Sequence, residues 1–441
     1  MLKTVFIFEC KKLAASRSFY FIVICLLLTA IYSLYNGRKF ISGQQKNIQL
    51  AIARENIIFD EVVSRIQHPD TATADAKWAY SHLTDPGWII TSPNKRWTSW
   101  WQPTQLSFLS IGNRDVYPYY HELEPYSFYM RFFKNEISSP FKLLYGNFDL
   151  AFVITLLFPL FIIGFTFDVY AVEQESGTYA LLNTVTRADK IILCKLLFYL
   201  ALTLAMINII LLVSLLFGNS ITIKQWFSYA TTANLYILTW FFIVYLVGLL
   251  KRSSVLNAII LISCWIFLSV GLPAIFNAVA NASYPVNAEA FSKYIRRVQM
   301  SDNPAVKRSL LKEFYHYYPQ YANTDTIGPS YSNKLYTAYG NLNDRHADPL
   351  LNEYFKQMQQ REDFLNACNF FNPVTRCQQR FNTLSGTDLQ SYITYVKQVR
   401  QYVQGLKENL TQKCFDGVPL KVSELQHRLS FDQFNKSLKN K

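Results

Sequence analysis

Glu173 and Glu175 flank Gln174 and are followed by Ser176, Gly177 and Thr178; the stretch runs on through Thr186 and Arg187 to Asp189 and Lys190. The chemistry on offer is recognition. Two carboxylates can pair with basic residues of a partner, and Gly177 permits a tight or left-handed turn. Ser176 or Thr178 is placed to cap a short helix over Tyr179–Asn183. Thr186-x-x-Asp189 has the form of a capping box opening the next helix. The stretch lies between two apolar runs, Leu150 to Phe167 and Leu196 to Phe217, each long enough to cross a bilayer. A short charged loop joining two spans sits at a membrane surface, where it can touch something soluble. Taken alone, the same residues also read as solvated charges and caps with no partner.

Other chemistries find less support. None of the fifteen glycines belongs to a G-x-x-x-x-G-K-[ST] phosphate cradle, so ATP-driven work needs a separate nucleotide-binding subunit. His68, His82, His121, His316, His346 and His427 are isolated, with no H-x-x-x-H or C-x-x-C pairing, which argues against a metal site. No nucleophile-elbow motif supports a hydrolase. Catalytic, cofactor-binding and metal-ligating residues are therefore assigned to none, and a membrane-bound enzyme is the weaker class.

The elements around the loop are spans. Five windows carry no charge over about 17 or more positions: Phe19–Tyr35, Leu150–Phe167, Leu196–Phe217, Thr231–Leu250 and Val255–Phe276. Helices of a soluble core would show a polar stripe, and these do not. The first window lacks a small-residue cleavage site and reads as a retained span. Pro159 and Pro273 each remove a hydrogen-bond donor inside a span, which membrane helices tolerate where a neighbour serves the freed carbonyl.

A net charge of +13 is spread along the chain without a basic run, so anionic headgroups account for it and nucleic acid is not an expected partner. Lys and Arg gather in the N-terminal segment, in the loop after the second span and in Lys251-Arg252. The short loop after the third span holds Lys224 alone. The positive-inside rule then places the N-terminus in the cytosol and the C-terminal region outside.

The expected division is 1–35 for an amphipathic lead-in and first span, and 36–148 for an external insertion. Residues 149–277 hold spans two to five with the 168–195 loop, and 278–441 form a second external region. In the insertion, Gln44 to Gln67 has helical periodicity, followed by an irregular aromatic part. Arg96-Trp97-Thr98-Ser99-Trp100-Trp101 is read mainly as packing. Helices are expected over Ala305–Tyr317, Pro349–Asn366 and Asp388–Lys413. Cys377 and Cys414 are expected to form a disulfide in this external region, with Cys368 reduced among apolar neighbours; the rival expectation is three packed thiols.

The run Glu173 to Leu182, the Thr186-Arg187 pair and the basic lead into the next helix resemble the cytosolic loop of ABC-2-type transporter permeases. Further stretches resemble a branch with large external insertions that carries a domain of unknown function called DUF3526. They are Phe8 to Lys12 with Ser16 to Phe19, Ile111 to Tyr120, Asn135 to Asp149, and Phe371-Asn372-Pro373 with Ser385 to Asp388. The resemblance implies a mainly α, polytopic transmembrane helix bundle with two mainly helical external insertions, in the inner membrane. It also implies that the loop residues Glu173, Glu175, Gly177, Thr178 and Arg187 couple to an ABC ATPase subunit, which binds the ATP. A second permease copy or a related permease would complete a dimer among membrane lipids. Permeases of this class usually have six spans, against the five read here, so the last helix is either absent from this sequence or replaced by an external tail. The contrasting expectation is an ATP-independent scaffold with external protein-binding domains.

Overall fold

The structure is a computed structural model that describes residues 2–68, 72–92, 96–129, 147–185, 187–218, 221–286, 304–324 and 333–439. It is mainly helical. Five helices are long and apolar enough to cross a membrane: α2 (Arg17–Gln67), α5 (Leu150–Glu175), α7 (Ala188–Phe217), α8 (Ile223–Gly248) and α9 (Ser254–Ser283). Preceding them is α1 (Leu2–Ala15), and the short α3 (Ala74–Leu83) and α4 (Pro86–Thr91) follow α2. The 51 residues of α2 form one unbroken helix, about 76 Å long at 1.5 Å per residue. The first apolar window ends at Tyr35, but the helix does not. Its last residue in the bundle core is Ile41, and its far half continues into the outer body, where Phe59 is buried.

Gly37 lies one turn before Ile41. The Phe108 carbonyl comes so close that a Cβ at position 37 would sit 2.0 Å from its oxygen, so any side chain there must displace backbone. The loop carrying Leu106, Phe108 and Leu109 thereby joins the core of the bundle.

Both prolines follow π-turns, and in each turn a carbonyl is served by a side chain from another element. In α5 the π-turn covers Val153–Leu157, and the Tyr236 hydroxyl of α8 donates to the Thr155 carbonyl within it at 2.6 Å. In α9 the π-turn covers Phe267–Gly271, with the Leu272 N–H bonded to the Phe267 carbonyl. The next such bond would run from residue 273 to the Leu268 carbonyl, and Pro273 has no N–H to give. Asn372 Nδ2 fills the gap at 2.8 Å.

Residues from both expected insertions build one outer body around a shared core. The far end of α2 supplies Phe59 and Val62; α11 (Asn333–Cys368) supplies Leu351, and α13 (Leu389–Asp416) supplies Tyr392 and Val396. Strands β1 (Trp97–Trp100) and β2 (Tyr120–Leu123) pair antiparallel with Ser99 opposite His121. The Trp-rich segment is packed: Trp97 lies edge-on to Phe59 at 4.9 Å, and Trp101 meets Tyr392 at 5.6 Å. Buried Arg114 ties this layer to α2, donating to Gln44 Oε1 and to the Trp101 carbonyl, both at 2.9 Å. Two of the stretches that carry the resemblance meet here: Asn113 N donates to the Thr387 carbonyl at 2.8 Å.

One C-terminal element belongs to the bundle. Helix α12 (Pro373–Leu384) puts Val374, Cys377 and Phe381 into the bundle core, with Phe381 stacked on Tyr229 of α8 at 4.2 Å.

Candidate functional site

At the end of the bundle away from the outer body, α5 runs to Glu175 and the chain turns at Gly177, whose φ of +75° lies in the left-handed region. It re-enters helix as α6 (Thr178–Val185), then passes Arg187, the N-cap of α7. The eight residues of α6 thus form a short helix slung between two spans. Ala180 and Thr184 on it are exposed. Thr186, half of the expected capping box, lies outside the described residues. The caps expected of Ser176 and Thr178 point backward: the Ser176 hydroxyl donates to the Val172 carbonyl at 2.6 Å, and Thr178 Oγ1 to the Glu173 carbonyl at 3.2 Å.

Glu173 and Glu175 both have partners within the chain, and Glu175 is exposed as well. The Glu173 carboxylate accepts from Lys195 Nζ and from the Thr178 hydroxyl, with 13% side-chain exposure on both members of the ion pair. Glu175 caps the start of α9, accepting from Ser254 N at 2.8 Å and from Ser254 Oγ at 2.9 Å. One carboxylate fastens the turn to α7 and the other fastens it to α9. They orient the loop; the surface they present outward is α6 and Arg187.

The sequence reading missed a third acid. Glu9 of α1 is buried and lies 3.6 Å from Lys195 Nζ, while the Tyr199 hydroxyl donates to its other oxygen at 3.0 Å. Phe6 packs edge-on to Phe198 at 5.1 Å beside it. Lys195 therefore serves two carboxylates, on α1 and on the loop, in a site where an unpaired charge is costly. The available signal was that Glu9 is the sole acid in an otherwise basic lead-in. On the far side of α6, Tyr179 donates to Asp189 at 3.2 Å and lies under Lys251 at 5.9 Å. The arrangement can hold a helix rigidly against three spans and pass force between them.

The expected bridge between Cys377 and Cys414 is corrected. Both are free thiols, in different cores. Cys377 points into the bundle from α12, whereas Cys414 lies in the outer body beside Thr337, 3.9 Å away. Burial pushes the Cys377 thiol well above its ordinary pKa and that of Cys414 up to about 11. The sequence reading put both in one external region; α12 leaves that region to join the bundle.

No curated protein and no solved structure matches the chain. A family model described as a domain of unknown function, DUF3526, matches residues 288–433, which include α10 (Pro304–Tyr317) and α11 to α13.

Proposed function

We propose that the chain is the permease subunit of an ABC transporter, moving a substrate across the inner membrane under the drive of a separate ATP-hydrolysing subunit. The observation that carries this reading is α6, an eight-residue helix with exposed residues, held between α5 and α7 by the Glu173–Lys195 and Glu175–Ser254 contacts. A helix fixed this way suits the docking of a soluble subunit, because a push on it moves three spans and α1 together. The basic residues around it, Arg187, Lys190, Lys251 and Arg252, support a cytosolic location by the positive-inside rule. The outer body is then periplasmic or extracellular. A second copy or a related permease fits beside α9, whose most apolar window is only 6% buried against 61% for α5.

The mechanism is alternating access: closure of the ATP-bound subunits presses on α6 and tilts the spans against each other. Affinity purification from native membranes in mild detergent tests the reading. A polypeptide bearing a P-loop is expected to co-purify with the wild type and to be lost from Ala180→Trp, which alters an exposed position. Recovery of partners on the outer side alone, with no ATPase from the wild type, supports the scaffold instead.

A further inference from the structure

A groove of about 1230 Å³ opens between α8 and the α11–α12 corner, at the end of the bundle facing the outer body. One wall is a stripe of α8 running from Lys224 through Phe227, Thr231 and Leu235 to Thr239, at three- and four-residue intervals. Fifteen helical steps make that stripe about 22 Å long. A single leaflet offers about 15 Å of hydrocarbon plus a headgroup layer of several Å, so the stripe covers both.

The floor is less polar than its composition. Thr231, Thr232 and Thr239 donate their hydroxyls to the carbonyls of Phe227, Ser228 and Leu235 at 2.8, 2.9 and 3.0 Å. Those hydroxyls are taken up by their own helix. Phe227 and Leu235, 65% and 58% exposed, continue the apolar surface that α8 shows to lipid.

The mouth is cationic. Arg376 and Arg380 sit one turn apart on α12, and Lys224 of α8 lines the same groove. All three are exposed, and among the described residues none makes an ion pair; Arg376 lies over the Phe370 ring at 5.6 Å. Two carboxylates also line the groove, and both are engaged. Glu362 accepts from Gln379 at 2.7 Å, and Asp388 caps α13 through Ser391 N at 3.2 Å while accepting from Thr383 at 3.3 Å.

We propose that this groove holds an anionic phospholipid of the leaflet on the outer-body side. Its phosphate lies among Lys224, Arg376 and Arg380, and one acyl chain lies along Phe227 and Leu235. The inference needs the membrane placement of α8 but no ATPase, so it survives failure of the transport reading.

Full-length protein in mixed micelles is offered phosphatidylglycerol or phosphatidylcholine, and bound lipid is counted by native mass spectrometry. The wild type is expected to retain phosphatidylglycerol preferentially. Each removed cation should weaken that retention about fivefold, so Arg376→Gln/Arg380→Gln loses most of the preference while Lys224→Gln, on the other wall, loses about one such step. Leu235→Trp, which fills the throat, should lower retention of both lipids. Unfolding midpoints of the variants report folding separately, and Arg376→Lys/Arg380→Lys should restore the preference. Equal retention of the two lipids by the wild type means ordinary lipid contact only and overturns the proposal. So does a groove closed by a second copy, seen as Phe227→Cys cross-linking to itself with no lipid retained.

Discussion

Asn372 Nδ2 donates to the Leu268 carbonyl at 2.8 Å across 104 residues of sequence, replacing the bond that Pro273 cannot make. The same side chain caps α12, its Oδ1 accepting from Val374 N at 3.0 Å. One residue therefore fixes α12 and mends the fifth span.

Asn372→Asp keeps the acceptor for the cap and removes the donor. It is expected to leave the Leu268 carbonyl unserved and to cost about 1–3 kcal/mol. Thermal unfolding in detergent measures this, with Asn372→Ala, which loses both roles, lower still. A midpoint for Asn372→Asp equal to wild type would show that the carbonyl finds another donor.

Lys195→Met strands Glu9 and Glu173 without their ammonium. The expected destabilisation is about 3–5 kcal/mol, the usual consequence of breaking a buried pair from one side. Adding Glu9→Gln and Glu173→Gln to the same chain should recover much of it, since neutral amides need no counter-charge. Unfolding curves of the single and triple variants decide; a Lys195→Met protein as stable as wild type removes the cluster from the account.

His121, opposite Ser99 in the strand pair and stacked with Tyr395 at 6.2 Å, is held neutral by burial, which lowers its pKa to about 3. Unfolded, it titrates near its ordinary value of 6.5. The folded state therefore binds fewer protons, and this contribution to stability is full above pH 6.5 and falls as pH drops toward 3. The loss should reach a few kcal/mol. His121→Phe keeps a ring against Tyr395 and cannot protonate, so its unfolding midpoint should fall less steeply with acid than that of the wild type. Parallel pH profiles would contradict this.

The spans were legible because charge-free windows need no partner to be recognised. What lay beyond them depended on pairs distant in sequence. Arg38 and Lys39 bring the first charges after the apolar window, yet nothing there stops a helix, so the continuation to Gln67 reads as a new element. Helix α12 reads as surface, since its apolar face is only Val374, Cys377 and Phe381 among glutamines and arginines. Glu173 and Glu175 look free in a loop; their partners Lys195 and Ser254 lie 22 and 79 residues away.

The central claim is that α6 receives an ATP-hydrolysing subunit. A photo-cross-linking amino acid placed at the exposed Thr184 in living cells tests it most directly, with the exposed Val418 of the outer body as control. The account predicts an adduct from position 184 to a polypeptide bearing a P-loop, and none to that polypeptide from position 418. Absence of any P-loop polypeptide among the position 184 adducts, in cells that make an ATPase able to pair with this chain, would contradict it.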